Sequence, residues 1–376
     1  MKICFSDNQK HLEFAPLSIL KPIAKLRMGL LTFEERWLKF LNGEVSGYET
    51  EAYLSNKFPR GNGEGLVISS NVIPNPELVN AIGKMDSGKL ISDGVCIARK
   101  GGSGTEINYE GQLILINKRW ELFTKNEELT RSDFELITKD RNSELLSSTV
   151  TVIGDPNLVF LEKGARAEAC VLNTKDGPIY LDEDSEIMEG SLVRGPFGLG
   201  KHSTLKMAAK IYGGCSFGEH CKIGGEVCNS VFQGYSNKGH DGFVGNSLIG
   251  EWCNLGADTN TSNLKNNYSP VRSYSYVEQS EVETGEMFMG LTMGDHSKSG
   301  INTMFNTATV VGVSCNLYGG DFPAKYIPSF SWGGAELVKF RLAKAIEASN
   351  NMMKRRGKEL SESDIEIFKY LSEKAS

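Results

Sequence analysis

Apolar positions along the chain change period twice. Over residues 1–150, short apolar runs alternate with helical patterns. Leu66-Val67-Ile68, Gly94-Val95-Cys96-Ile97-Ala98 and Leu113-Ile114-Leu115-Ile116 read as strands. Residues 30–41 and 76–85 read as helices, the second with Asn75 as its N-cap. This part is predicted to be α/β. Helical spacing returns at 335–356, breaks at Gly357 and resumes at 361–374, where Ser361-x-x-Asp364 before Ile365 fits an N-terminal cap.

Between these parts the period is six. Leu181, Ile187, Val193, Leu199, Leu205, Ile211, Phe217 and Ile223 recur without a gap. Four residues after each come Ser185, Ser191, Phe197, Ser203, Ala209, Cys215, Cys221 and Val227, mostly small. The frame is expected again at Phe243, Ile249 and Leu255, and at Met293, Ser299, Phe305, Val311 and Leu317. A sandwich of alternating strands would give period two. Six residues make one short strand and one tight turn, so three hexads make one triangular coil. Coils of this kind stack at strand spacing, about 4.8 Å. The repeat predicts a parallel β-helix over 151–334, with apolar residues pointing inward and small ones near the corners.

Composition locates the turns. Of 41 glycines, 27 fall in 151–334, with no G-X-Y period, so collagen is excluded. Lys plus Arg is 41 and Asp plus Glu is 47, for a formal net charge of −6, which argues against a nucleic-acid binder. No apolar run approaches the roughly 18 residues of a membrane span, and the start, Met1-Lys2-Ile3-Cys4-Phe5-Ser6-Asp7, meets an acid too soon for a signal peptide. The eight cysteines form no C-x-x-C pair, so no metal knuckle is expected. They read as reduced thiols of a cytoplasmic protein, and Cys215, Cys221, Cys253 and Cys315 fall in the corner slot, where packing suffices as a role.

The hexads resemble those of left-handed β-helix acyltransferases. His240-Asp241-Gly242-Phe243-Val244-Gly245-Asn246-Ser247-Leu248-Ile249-Gly250, continued by Asn254-Leu255-Gly256-Ala257-Asp258-Thr259, resembles the family that combines an N-acetylglucosamine-1-phosphate uridylyltransferase with a glucosamine-1-phosphate N-acetyltransferase. Pro16-Leu17-Ser18, Lys21-Pro22-Ile23-Ala24-Lys25-Leu26-Arg27-Met28-Gly29 and the run from Phe322 to Trp332 resemble a Bacteroidetes-type branch of sugar nucleotidyltransferases. The resemblance implies a sugar nucleotidyltransferase-like, Rossmann-like α/β domain over 1–150, a left-handed β-helix acyltransferase-like domain over 151–334 and a helical tail over 335–376. It implies a homotrimer with acetyl-CoA bound between neighbouring β-helices.

The same resemblance makes His240 the general base, Asn254 a residue shaping the site, and Ala257 and Asn263 neighbours of the pantetheine arm. An acceptor amine or hydroxyl must lose a proton as it attacks a thioester, and imidazole titrates near the working pH. The rival reading of His240 is a solvated turn residue, and His296 is a rival base. His202 and His220, in equivalent turns, are expected to face solvent. The sequence departs from the family at Phe243 and Leu264, where tyrosines are expected. The stretch 226–232 lacks the cations that would grip a sugar phosphate, although Lys265 and Arg272 lie in the longer loop 265–292.

In the N-terminal part, no glycine follows the first strand before Gly29, where the resemblance calls for a phosphate-cradling loop. Asn71 stands where an aspartate would hold Mg²⁺. Lys21, Lys25 and Arg27 are candidates for phosphate binding, with a solvated basic loop as the alternative. Gly61-Asn62-Gly63-Glu64-Gly65 precedes a strand, and Gly101-Gly102-Ser103-Gly104 reads as a hairpin turn.

The function expected is acyl transfer, of acetyl in the first instance, from acyl-CoA to a sugar or sugar nucleotide. The alternatives are an active, Mg²⁺-dependent sugar-1-phosphate nucleotidyltransferase with the β-helix as a trimerising scaffold, and a non-catalytic trimer that binds nucleotide sugars. In each case the partner is a sugar phosphate or nucleotide sugar, and neither nucleic acid nor membrane.

Overall fold

The structure, a computed structural model, describes residues 1–61, 65–102 and 104–374. Asn62–Glu64 and Ser103, central to the two glycine clusters named above, lie outside the described residues. The chain divides into two compact units, one of residues 1–26 with 31–119 and one of residues 27–30 with 120–376.

The first unit is α/β. Its six-stranded sheet is built from β1 (Lys2–Ser6), β2 (Glu44–Glu49), β3 (Leu66–Ser69), β4 (Gly88–Ser92), β5 (Val95–Lys100) and β6 (Glu106–Asn108), in the order β2-β1-β3-β5-β4-β6. β1 runs parallel to both β2 and β3, whereas β5 is antiparallel to β3 and β4. Since β5 and β6 both pair with β4 and not with each other, the glycines between them do not form the expected hairpin turn.

Helix α1 (Phe33–Phe40) starts with a capping box in which Thr32 and Glu35 exchange side chain–backbone bonds. Asn75 caps α2 (Pro76–Gly83) by accepting from Leu78 N at 2.8 Å. Ile3, Phe5, Trp37, Leu66, Ile68, Leu78 and Ile82 form the core of this unit.

The second unit is a parallel β-helix. One face has nine strands from Val159–Leu161 to Tyr326–Ile327. Another runs from Arg166–Ala167 to Ser331–Gly333, and a third, of six strands, from Thr151–Ile153 to Phe243–Gly245. The eight uninterrupted hexad positions from Leu181 to Ile223 are at most 2% exposed, and those from Leu181 to Leu205 each pair in register with the hexad residue one coil on, as Leu181 does with Leu199 and Leu199 with Phe217. The corner slot also has a polar logic. Ser203 accepts from Cys221 N at 2.8 Å and donates to Gly218 O at 2.7 Å. Ser236 and Ser297 repeat this for Cys253 and Cys315. A hydroxyl in that slot is therefore satisfied and ties one coil to the next.

The period breaks after Ile223. The next coil is shorter, so Phe217 pairs with Phe232 and Ile223 with Lys238. The inward residue of the following strand is Val244, fully buried, and not Phe243 as the hexad frame predicts. Residues 265–292 leave the coil and carry an antiparallel hairpin, Arg272–Ser275 with Ser280–Glu283.

At one corner a column of non-glycine turn residues has left-handed φ: His202, His220, Tyr235, Trp252 and His296, between +53° and +61°. Their rings stack at centroid separations of 4.8, 5.1, 4.1 and 6.3 Å. His202 is exposed as expected, but His220 is half-buried in this stack.

The C-terminal helical pattern starts later than it reads. Leu337–Lys339 is a strand, antiparallel to Ser331–Gly333, that covers the last edge of the solenoid. Helices α3 (Leu342–Lys354) and α4 (Glu362–Lys374) follow, with Gly357 at φ +65° between them and Ser361 capping Asp364 N at 3.2 Å. No helix among the described residues is long and apolar enough to cross a membrane.

Candidate functional site

Of the histidines, His240 opens onto a cleft. It lies on the turn between Asn237–Lys238 and Phe243–Gly245, is exposed, and its imidazole has no hydrogen-bond partner among the described residues. The cleft, of about 750 Å³, lies between one face of the β-helix and the end of α3. Asn254 and Ala257 line it with His240. Asn254 stacks in register between Asn237 and Lys298 on successive coils. Asn237 Nδ2 reaches Asn254 Oδ1 at 3.5 Å, and Asn237 Oδ1 is buried with no partner among the described residues. An uncompensated buried amide oxygen at a cleft wall suits a donor brought by a ligand.

The charge of this cleft is one-sided. Lys206, Lys222, Lys298, Arg355 and Arg356 line it, and no carboxylate does. None of the five is in an ion pair among the described residues. Burial lowers the affinity of Lys222 for its proton, and the nearby Arg356, Lys206 and Arg355 lower it further. Lys298 is likewise lowered, by burial, and donates to His296 O at 2.9 Å. In a chain of net charge −6, this concentration of unpaired cations gives the cleft a local positive field that suits an anion. These cations lie in neither the stretch 226–232 nor the loop 265–292, where the resemblance directs attention. Lys222 and Lys298 each precede an inward residue, the place Asn254 holds, and the signal emerges only when coils of unequal length are aligned. Arg355 and Arg356 reach the cleft from beyond α3, which no repeat announces.

The other expected residues are elsewhere. His296 is 6% exposed, packs against Trp252 and meets Phe368 of α4 edge-on at 5.4 Å, away from the cleft. Asn263 donates to Asn246 Oδ1 at 2.8 Å on a different corner. Lys265 is held by Ser269 and Pro270 O, and Arg272 by Glu281, so neither lines the cleft.

Arg27, in the second unit, is occupied in docking its own segment. Its backbone exchanges bonds with the Gln233 amide at 2.6 and 3.1 Å, and its guanidinium donates to Leu30 O. In the first unit, Lys21 is buried and Lys25 pairs with Glu34 at 2.7 Å. Asn71 is 2% exposed. Its oxygen accepts from Ser69 and its nitrogen donates to Ile116 O, so the amide is buried and engaged within its own unit. No group of three or more His, Cys, Asp or Glu side chains among the described residues could hold a metal ion. His11 is 2% exposed and its Nδ1 lies 2.8 Å from Asp7 Oδ2.

Burial pushes the Cys221 and Cys315 thiols up to about 12 and Cys170 to about 11, in keeping with corner cysteines that only pack.

Residues 2–142 match the family model for sugar nucleotidyl transferase. A bifunctional sugar-1-phosphate nucleotidylyltransferase/acetyltransferase of Sulfurisphaera tokodaii is 27% identical over 279 residues, covering 68% of this chain and 61% of its own. The bifunctional protein GlmU of Methanocaldococcus jannaschii is 36% identical over 90 residues, covering 24% of this chain and 21% of its own. The chain thus spans from about a fifth to three-fifths of the length of these relatives. Among solved structures, the polySia-specific acetyltransferase NeuO aligns over 56% of this chain and 100% of its own, at 11% identity and a TM-score of 0.30. A Campylobacter jejuni UDP-N-acetylglucosamine acyltransferase aligns over 60% and 95%, at 12% identity and 0.25. Residues 2–142 are therefore similar to the sugar nucleotidyl transferase family, and the chain that continues from them into a parallel β-helix resembles the bifunctional sugar-1-phosphate nucleotidylyltransferase/acetyltransferases.

Proposed function

We propose that the cleft transfers an acyl group, acetyl in the first instance, from acyl-CoA to a sugar or sugar nucleotide. The observation that carries this is the meeting of His240, Asn254 and Ala257 in one cleft walled by five cations and no acid. An imidazole free of protein hydrogen bonds can accept the acceptor's proton as its nitrogen or oxygen attacks the thioester carbonyl. CoA leaves as its thiolate when the tetrahedral intermediate collapses and takes up the proton held on His240, and the Asn254 amide would steady the substrates or the oxyanion. The cations suit the phosphates of CoA or of a nucleotide sugar, which an unpaired lysine or arginine binds by charge-assisted bonds. Ala257, with no side chain beyond Cβ, leaves room for a pantetheine arm. Asn263, on another corner, would serve that arm in a homotrimer whose neighbouring β-helix completes the site.

A second reading rests on the family match over residues 2–142 and keeps nucleotidyl transfer as the activity, with the β-helix as scaffold. The engagement of Asn71 and Lys25 in contacts within the first unit weighs against the metal ligation and phosphate binding that this reading gives them. One experiment separates the two. The protein is incubated with acetyl-CoA and a panel of amino sugars and sugar phosphates while free thiol is followed. In parallel it is incubated with nucleoside triphosphates, sugar-1-phosphates and Mg²⁺ while pyrophosphate is followed. Thiol release abolished by His240→Ala supports acyl transfer at this cleft. Thiol release that survives His240→Ala overturns the base assignment, and pyrophosphate alone favours the second reading.

A further inference from the structure

We infer that Lys238 is a positioning residue for His240: from inside the coil, its ammonium holds the turn that presents the imidazole to the cleft. The inference rests on the acyl-transfer reading of that cleft. Lys238 is fully buried and occupies an inward position, in register with Ile223 on the coil before. On the coil after, the inward position belongs to Leu255. An ammonium among aliphatic neighbours is an expensive occupant, and a methionine of similar length would fill the same volume without desolvating a charge.

What the ammonium does there is specific. Nζ donates to the backbone carbonyls of both His240 and Asp241. The charged groups acting on it are Asp241 and Asp258, which favour its charged form but do not outweigh burial. The turn needs such a hold. Gly239 has open space where a Cβ would be, whereas Gly242, at φ +112°, lies against the Thr259 backbone, so packing reaches the His240-Asp241 turn from one side only. With no side-chain partner of its own, the His240 ring is placed only through its backbone. Lys238 holds that backbone from below, and Asp258 N, bonded to Asp241 O at 3.0 Å, holds it from the next coil.

The test is Lys238→Met, assayed with acetyl-CoA and the amino-sugar panel and examined by NMR of the His240 ring protons. The expected result is a kcat lower by about ten- to hundredfold, as for a misplaced catalytic group, with KM for acetyl-CoA within about twofold. The double variant K238M/H240A should be no slower than His240→Ala alone. The His240 resonances should shift and broaden once the turn loses its hold. Full kcat with unmoved His240 resonances would overturn the inference. If the native protein transfers no acyl group to any acceptor, the acyl-transfer reading fails, and the NMR comparison alone decides whether Lys238 positions His240. If K238M does not fold, Lys238→Gln, which keeps a shorter donor, takes its place under the same criteria.

Discussion

Replacing Lys222 by methionine should have two effects of opposite sign. Lys222 faces Arg356, Lys206 and Arg355, with no carboxylate in the cleft to offset them. Its ammonium is therefore depressed by burial first and by like charges second. Removing it relieves repulsion in the unliganded protein. Because the group is only partly buried and water screens it, the gain is about 0.5 kcal/mol, or roughly 1 °C in melting temperature for a chain of this size. Removing it also deletes one charge-assisted bond to a bound phosphate, worth about 1.5–3 kcal/mol, so Kd for CoA should rise about ten- to hundredfold. Calorimetric titration with CoA and a thermal melt without ligand read the two effects separately. The native affinity should also weaken with salt, and the variant's should do so less steeply. A variant that binds CoA as tightly as the native protein would refute the assignment of the cleft to phosphates. A variant that loses binding and also melts several degrees lower would show Lys222 to be structural, and the reasoning from repulsion would be wrong.

Other outcomes follow from single contacts. His240→Ala should reduce thiol release by about 10²- to 10⁴-fold, the usual worth of a general base, with an unchanged melt, since the ring is exposed and unbonded. The folded protein should leave Cys221 and Cys315 unmodified by iodoacetamide at pH 8, because burial holds both thiols near 12, and denaturant should expose them. Lys238 is held down to about 8 when folded, against about 10.5 unfolded. The unfolded chain therefore binds more protons between those values. This residue's share of stability should rise from pH 8 to 10.5, by roughly 3 kcal/mol in all, and denaturation series at pH 7 and pH 10 should lose that difference in Lys238→Met.

Legibility in the sequence followed locality. Leu181 to Ile223 could be placed inside the coil from period alone, because one residue per hexad must face the core and over this stretch each of them is apolar. The same logic failed at Phe243, since a shortened coil resets the frame without leaving a local mark. Asn75, Gly357 and Ser361 were readable as punctuation because caps and left-handed turns depend on neighbours in sequence. Leu337–Lys339 was not, because its pairing with Ser331–Gly333 satisfies an edge that helical spacing cannot reveal. At the site, resemblance led to His240 and Asn254, but the cations came from other coils and from the tail. Lys238 passed unnoticed because a lysine is ordinarily taken to be solvated.

The stacked corner of His202, His220, Tyr235, Trp252 and His296 has a consequence for how this fold tolerates change in length. Each rung accepts a left-handed backbone that L-residues disfavour by about 1 kcal/mol, and flat rings overlap only if each returns above the last. Yet the chain between rungs varies: it is contracted between His220 and Tyr235 and carries the whole 265–292 excursion between Trp252 and His296. The stack is thus the fixed datum of the solenoid, and the remaining corners absorb the slack. A foreign segment grafted at the 276–279 hairpin tip should leave the stack in place, whereas a single residue inserted beside Trp252 would unseat every ring above it.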